Sequence, residues 1–242
     1  MQRALLSSTV QQVALTLPLL AGSAWLLTRT FDLPASVIVQ ALAAFIGLLL
    51  ALSRFLPQHQ PFTRFGPANT VTLLRAGIAA LCAGLLGLSA LPPHLGWLLA
   101  GLALVALLLD GVDGWLARRS GMQSPFGARF DMEVDAFFIL ILAALVWRFD
   151  KAGIWVLLSG VLRYGFVGLG YRLAWLTRPL PPRRRRQTVC VIQTAILALC
   201  LTPPLIPPLS TALAAGALGL LVWSFSVDSL WLWRLRVEQP PS

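Results

Sequence analysis

The segment from Asp110 to Asp135 reads DGVDGWLARRSGMQSPFGARFDMEVD and is the most informative part of the sequence. It places aspartates at positions 110, 113, 131 and 135, at the end of one long apolar run and the start of the next. Charged side chains are costly inside a bilayer unless they are paired or bind a cation, so these carboxylates are candidates for a functional site. Clustered acids favour hard divalent cations, which prefer oxygen ligands.

The composition is that of an integral membrane protein. Of the 242 residues, 57% are hydrophobic and only 12% are charged, whereas a soluble domain carries about 25% charged residues. The net charge of +10 comes from basic residues that punctuate apolar runs instead of covering a soluble face. This pattern argues against nucleic acid as a partner and favours membrane lipids or phosphate-bearing substrates.

The apolar runs predict an all-α polytopic membrane helix bundle with about eight transmembrane helices, since a span needs about 20 mainly apolar residues. The stretches are 11–28, 35–53, 69–91, 96–117, 127–148, 153–172, 187–203 and 208–232. The first loosely resembles a cleavable signal peptide. The polar residues Ser7, Ser8, Gln11 and Gln12 favour a retained span instead.

The basic residues predict the orientation. If the N-terminus is cytoplasmic, 13 arginines lie inside and only Arg29, Arg148 and Lys151 lie outside. The inside set is Arg3, Arg54, Arg64, Arg118, Arg119, Arg172, Arg178, Arg183, Arg184, Arg185, Arg186, Arg234 and Arg236. The positive-inside rule therefore places both termini and the aspartate hairpin in the cytoplasm, and we expect a bacterial inner membrane.

Helical spacing predicts that the four carboxylates face one another. Asp110 and Asp113 share one face of their helix, as do Asp131 and Asp135, because residues three and four apart are neighbours. The short connection predicts that the two helices are antiparallel neighbours, so that the four acids face one another across a helix pair. Two metal ions held there would polarise phosphoryl oxygens, and a carboxylate not fully used as a ligand would serve as general base for an acceptor hydroxyl.

Small residues and one arginine accompany the carboxylates. Gly114 and Ala117 leave room for a large ligand or for close helix approach, and Gly127 removes bulk where the next helix starts. Arg118 can neutralise a phosphate presented to the metals.

The hairpin resembles the signature of the CDP-alcohol phosphotransferases, also called CDP-alcohol phosphatidyltransferases. That signature is Asp, two residues, Asp-Gly, two residues, Ala-Arg, eight residues, Gly, three residues, Asp, three residues, Asp. Every fixed position is filled, by Asp110, Asp113, Gly114, Ala117, Arg118, Gly127, Asp131 and Asp135. A weaker match, to an Asn-x-x-Thr-x-x-Arg that often opens the family core, is formed by Asn69, Thr72 and Arg75.

The resemblance implies a six-helix membrane core with the signature on its second and third helices. That core would occupy residues 67–242, and residues 1–66 would form an additional two-span N-terminal extension. A homodimer is compatible with this architecture.

The resemblance also implies the site and the reaction. Asp110, Asp113, Asp131 and Asp135 would bind two Mg²⁺ or Mn²⁺ ions, with Asp135 also the base. Asp113, Gly114, Ala117, Arg118 and Gly127 would line the CDP site. The enzyme would transfer a phosphatidyl group from CDP-diacylglycerol to an alcohol, with glycerol 3-phosphate the favoured acceptor, and release CMP.

Other interpretations remain open. The chain could be a non-enzymatic cation-binding or transporting membrane protein, or a Mg-dependent membrane prenyltransferase. The acids could also be helix-end residues paired with Arg118, Arg119 and Arg129.

Three further arginines are candidates for holding a phosphorylated acceptor. Arg163 lies mid-span and has no acidic partner nearby in sequence; the alternative is a salt bridge to one of the aspartates. Arg185 and Arg186 end the run 183–186, which is otherwise explained by the positive-inside rule. Cys82, Cys190 and Cys200 are interpreted as small buried apolar residues, and His59 and His94 as loop residues without an evident role.

Overall fold

The computed structural model describes residues 2–170, 172–173, 175 and 184–238. Over this part of the chain the structure is all-α, as predicted, and has no strand. The helices are α1 (Gln2–Thr30), α2 (Ser36–Ser53), α3 (Pro67–Gly84), α4 (Pro93–Ser120), α5 (Pro125–Arg148), α6 (Leu158–Gly170), α7 (Arg184–Cys200) and α8 (Leu209–Glu238). Short 3-10 turns lie at Leu56–His59, Leu85–Gly87 and Ile154–Leu157. Arg178 and Arg183 fall outside the described residues.

Each predicted stretch corresponds to a helix, and five helices are long and apolar enough to cross a membrane, so the polytopic bundle is confirmed. These are α1, α2, α3 with the turn that follows it, α4 and α8. The other three helices are shorter or carry more charged residues. α5 carries three acidic residues in its first half, α6 has only 13 residues and α7 only 17. The number of membrane crossings therefore stays a prediction.

The first helix is longer than the apolar stretch predicted. It begins at Gln2 instead of residue 11, and polar residues in its first half bond to other parts of the chain. The Ser8 hydroxyl accepts a hydrogen bond from the Phe65 N–H at 3.0 Å, and the Gln12 side-chain oxygen accepts one from the Thr70 hydroxyl at 3.4 Å.

Helix α3 is the centre of the bundle and packs against α1, α2, α4 and α5. Its buried residues are mostly small, including Ala76, Ala79 and Ala80, so neighbouring helices approach closely on several sides. One polar residue stands out on this helix. Arg75, in its middle, is only 5% exposed.

The connection between α4 and α5 is short, as expected, and has clear stop and start signals. Gly121 ends α4 with φ of 64°, a left-handed conformation that glycine adopts without strain. The Ser124 hydroxyl then caps α5 by accepting a hydrogen bond from the Gly127 N–H at 3.0 Å, and Pro125 occupies the first helical position. The turn joins the ends of the two signature helices, but the expectation that they are direct neighbours was wrong. Along their lengths α4 and α5 each pack against α3 and α7 and hardly touch each other, because α3 and α7 lie between them.

Candidate active site

The four aspartates converge at the facing ends of α4 and α5. Carboxylate oxygens of Asp110, Asp113 and Asp131 lie within 4.8 Å of one another, close enough to bind a single metal ion. Asp135 lies one turn beyond Asp131 and joins the group through a shared partner. The convergence agrees with the helical spacing of the sequence.

That shared partner is Arg75. Its Nη1 atom lies 2.7 Å from Asp113 Oδ2 and 2.6 Å from Asp131 Oδ1. Its Nη2 atom lies 2.7 Å from Asp110 Oδ1 and also contacts Asp135 Oδ1. One guanidinium therefore bridges carboxylates from two helices. We call these five side chains the aspartate cage.

The buried side of the cage is further fixed by α3. The Thr72 hydroxyl lies 3.1 Å from Asp113 Oδ2, and the Asp113 side chain is only 5% exposed. Asn69, one turn earlier on α3, donates from its amide to the Phe65 carbonyl at 2.6 Å. The weak sequence match of Asn69, Thr72 and Arg75 thus marks the helix face on which the cage is built.

A cavity of about 450 Å³ opens beside the cage. Besides all five cage residues, its lining includes Gly114 and Arg118 from α4 and a row of α7 residues. The α7 row comprises Gln187, Thr188, Cys190, Val191 and Thr194. Sequence reasoning missed this wall, because nothing in the spacing of α7 indicates which face meets the hairpin.

The described lining separates the expected CDP-site residues into two groups. Asp113, Gly114 and Arg118 border the cavity, whereas Ala117 and Gly127 are not part of the lining. Gly127 packs against α3 instead: a Cβ there would lie 3.0 Å from Asn69 Oδ1. The absent side chain allows α5 to approach α3 closely.

The cysteines agree only in part with the interpretation as buried apolar residues. Cys82 and Cys200 are fully buried. Cys190 is half-buried, lines the cavity, and has its Sγ atom 3.8 Å from Asp135 Oδ2.

Arg163 has no acidic residue nearby in sequence, but it pairs with an acid 30 residues away. Its Nη2 atom lies 2.8 Å from Glu133 Oε1. Glu133 is two residues from both Asp131 and Asp135, which is about 200° around a helix, so it points away from the cage and towards α6. The alternative of a salt bridge to one of the four aspartates is also not what the structure shows.

Arg185 and Arg186 likewise lie near an acid. Arg185 Nη2 is 2.5 Å from Asp228 Oδ1, and Arg186 Nε is 4.0 Å from Asp228 Oδ2. Asp228 lies on α8 and is far from this run in sequence, which is why sequence proximity did not reveal it. Arg185 additionally lies over the ring of Trp223, 5.4 Å from its centroid.

The pairing of the acids with helix-end arginines is not observed. Arg119 lies over the Trp115 ring at 5.0 Å and Arg129 over the Phe55 ring at 3.7 Å. The aspartates instead share the single guanidinium of Arg75.

The donor set fits divalent cations. Four carboxylates and one guanidinium carry a formal charge of −3, and such an excess in a partly buried site favours further positive charge. The four carboxylates offer oxygen atoms as ligands, the type that Mg²⁺ and Mn²⁺ prefer.

Comparison with known proteins gives one match. The model of the family described as CDP-alcohol phosphatidyltransferase matches residues 67–226, about two-thirds of the chain. No curated protein and no solved structure matches this chain.

Proposed function

Because this chain belongs to the CDP-alcohol phosphatidyltransferase family, we propose that it transfers a phosphatidyl group from CDP-diacylglycerol to an alcohol and releases CMP. The family establishes a membrane enzyme that transfers substituted phosphate groups. The observation that carries the finer proposal is the aspartate cage, which opens directly onto the cavity.

The roles of the cage follow from its chemistry. Asp110, Asp113, Asp131 and Asp135 would hold two Mg²⁺ or Mn²⁺ ions, which when bound polarise the phosphoryl oxygens and stabilise the departing phosphate. Asp135 accepts the proton of the acceptor hydroxyl while the oxygen of that hydroxyl bonds to the β-phosphorus of the donor. The bond between that phosphorus and the bridging oxygen breaks, and CMP leaves with the bond electrons.

The donor would bind in the cavity. Its volume of about 450 Å³ lies within the usual range of ligand pockets. Gly114 keeps the wall above the cage open, and Arg118, which lines the same wall, would contact the donor phosphates. Ala117 and Gly127 would act indirectly, by allowing close helix packing.

The acceptor we favour is glycerol 3-phosphate. Gln187 and Thr188 line the cavity directly after Arg185 and Arg186, in the first turns of α7. Arginines and a helix N-terminus both favour a phosphate group. Arg163 and Arg185 each pair with an acid, and neither lines the cavity itself. Arg163 is the weaker candidate because it lies on α6, none of whose residues belongs to the described lining, whereas Arg185 lies two residues before Gln187.

A release assay tests the proposal. Purified protein with labelled CDP-diacylglycerol, Mn²⁺ and glycerol 3-phosphate should release CMP and form a phosphatidyl product, and serine, inositol and inositol phosphate serve as competing acceptors. CMP release with an unphosphorylated acceptor alone would show that glycerol 3-phosphate is not the acceptor. No CMP release with any acceptor would favour a cation-binding protein without this activity.

The proposal also places the active site in the cytoplasm. Membrane-impermeant thiol labelling of single-cysteine variants at Ser120 and His94, in a background lacking the native cysteines, should modify the two positions from opposite sides. Labelling of both from the same side would contradict the orientation.

A further inference from the structure

The segment between α2 and α3 packs against the start of α5, although it precedes the residues matched by the family model. We call residues 55–66 the brace. Its helical turn, Leu56–His59, contacts α5. Arg129 of α5 lies over the Phe55 ring, 3.7 Å from its centroid.

The centre of the brace is His59, which is fully buried. Its Nε2 atom lies 3.0 Å from the Arg64 carbonyl oxygen, and its Nδ1 atom lies 2.6 Å from Ser124 Oγ. A carbonyl only accepts, so Nε2 carries the proton and Nδ1 accepts from the Ser124 hydroxyl. Burial lowers the pKa of His59, in agreement with a neutral ring.

The Ser124 hydroxyl therefore has both of its roles assigned. It donates to His59 and accepts from the Gly127 N–H, so His59 fixes the rotamer with which Ser124 caps α5. A continuous hydrogen-bond chain runs from the first turn of α5 through Ser124 and His59 to the Arg64 carbonyl.

Aromatic packing reinforces this chain. The His59 ring lies 5.6 Å from Phe126, edge-on, and Phe65 lies 6.0 Å from Phe130. Phe126 and Phe130 stack on each other at 5.6 Å. Four aromatic side chains thus fill the space between the brace and the first two turns of α5.

The brace also contacts the loop between α4 and α5. Gly66 has φ of 88°, and a Cβ there would lie 3.1 Å from Met122 Cε. The brace therefore lies against the loop as well as against the first turns of α5.

The helix transmits this contact to the cage. Asp131 lies seven residues after Ser124, about two turns along the same helix, so the position and rotation of its first turn set where the Asp131 and Asp135 carboxylates point. We propose that His59 is a positioning residue for the reaction, and that the brace holds α5 so that its two aspartates reach the cation site. This inference rests on the proposed function.

The test measures Mn²⁺ binding by calorimetry and CMP release on the same preparations. His59→Phe keeps the ring and its packing but removes both nitrogens. His59→Asn retains an amide near the position of Nδ1 and can bond to Ser124. His94→Phe is the matched control, since His94 is exposed and stacks on Phe31 at the opposite end of α4.

We expect His59→Phe to weaken Mn²⁺ binding and to lower kcat by about tenfold, as for other groups that orient a metal ligand indirectly. The number of Mn²⁺ ions per chain should not change. His59→Asn should recover most of both losses, and His94→Phe should match the wild type. The double variant His59→Phe with Ser124→Ala should be no weaker than Ser124→Ala alone.

Three results would overturn the inference. The first is wild-type Mn²⁺ affinity in His59→Phe, and the second is a reduced Mn²⁺ stoichiometry at unchanged affinity, which indicates partial unfolding only. The third is full additivity of the two substitutions. Failure of the proposed function would look different, because the wild type itself would then release no CMP while the Mn²⁺ measurements still decide the role of His59.

Discussion

The acidic residues on the two faces of α5 are paired with arginine in different ratios. On one face, Asp131 and Asp135 share Arg75 with Asp110 and Asp113, so four carboxylates compete for one guanidinium beside an open cavity. On the other face, Glu133 pairs one-to-one with Arg163 of α6. The Glu133–Arg163 pair has no net charge and connects two helices. The aspartate cage has an excess of negative charge, which favours the binding of additional cations. Acidic residues within four positions of one another thus have different roles, set by the face on which they lie.

The largest expected effect separates the two faces directly. Asp131→Asn removes a proposed cation ligand and should lower CMP release by several orders of magnitude, while Glu133→Gln should lower it less than about tenfold. Both changes remove one charge from the same helix two residues apart. Similar losses in the two variants, measured at saturating Mn²⁺, would show that the cage has no special role.

A second experiment tests the imbalance through stability. Arg75→Met leaves four neighbouring carboxylates without their partner and should destabilise the protein by about 3–5 kcal/mol in the presence of a chelator. Added Mn²⁺ should restore much of that loss, because the cations replace the missing charge. Arg163→Met, in which the cage is intact, is the control, and Mn²⁺ should stabilise it only as much as it stabilises the wild type. Thermal unfolding in detergent, with and without Mn²⁺, gives the comparison, and equal Mn²⁺ responses in both variants would contradict it.

A third, smaller effect concerns the acceptor. Arg185→Ala should raise the KM for glycerol 3-phosphate by about tenfold and leave the KM for CDP-diacylglycerol nearly unchanged, because a lost phosphate contact affects only the substrate that uses it. Arg163→Ala should change neither KM by more than about threefold. A larger increase in the KM for glycerol 3-phosphate in Arg163→Ala than in Arg185→Ala would indicate that Arg163 binds the acceptor.

The sequence was most informative where residues close in the chain are close in space. The signature spacing predicted the carboxylate cluster, since helical periodicity alone brings Asp110 near Asp113 and Asp131 near Asp135. It also predicted an all-α bundle and the short turn between α4 and α5, but not that these two helices pack on α3 and α7 instead of on each other.

Contacts between distant segments were harder to predict. Glu133 and Asp228 pair with arginines 30 and 43 residues away, so proximity in sequence could not predict either pair. His59 was interpreted as a loop residue without a role, because its hydrogen-bond partner Ser124 is 65 residues further along the chain. Arg75 carried a usable signal in its spacing from Asn69 and Thr72, but only the packing of α3 shows that it contacts all four aspartates.

The most direct test of the central claim is the number of Mn²⁺ ions that the purified protein binds together with CDP-diacylglycerol. We expect two Mn²⁺ ions per chain in the wild type, a loss of at least one in Asp131→Asn, and no loss in Glu133→Gln. CMP release should disappear when a chelator removes the ions. No bound Mn²⁺, together with chelator-insensitive CMP release, would contradict the assignment of the four aspartates as the metal site.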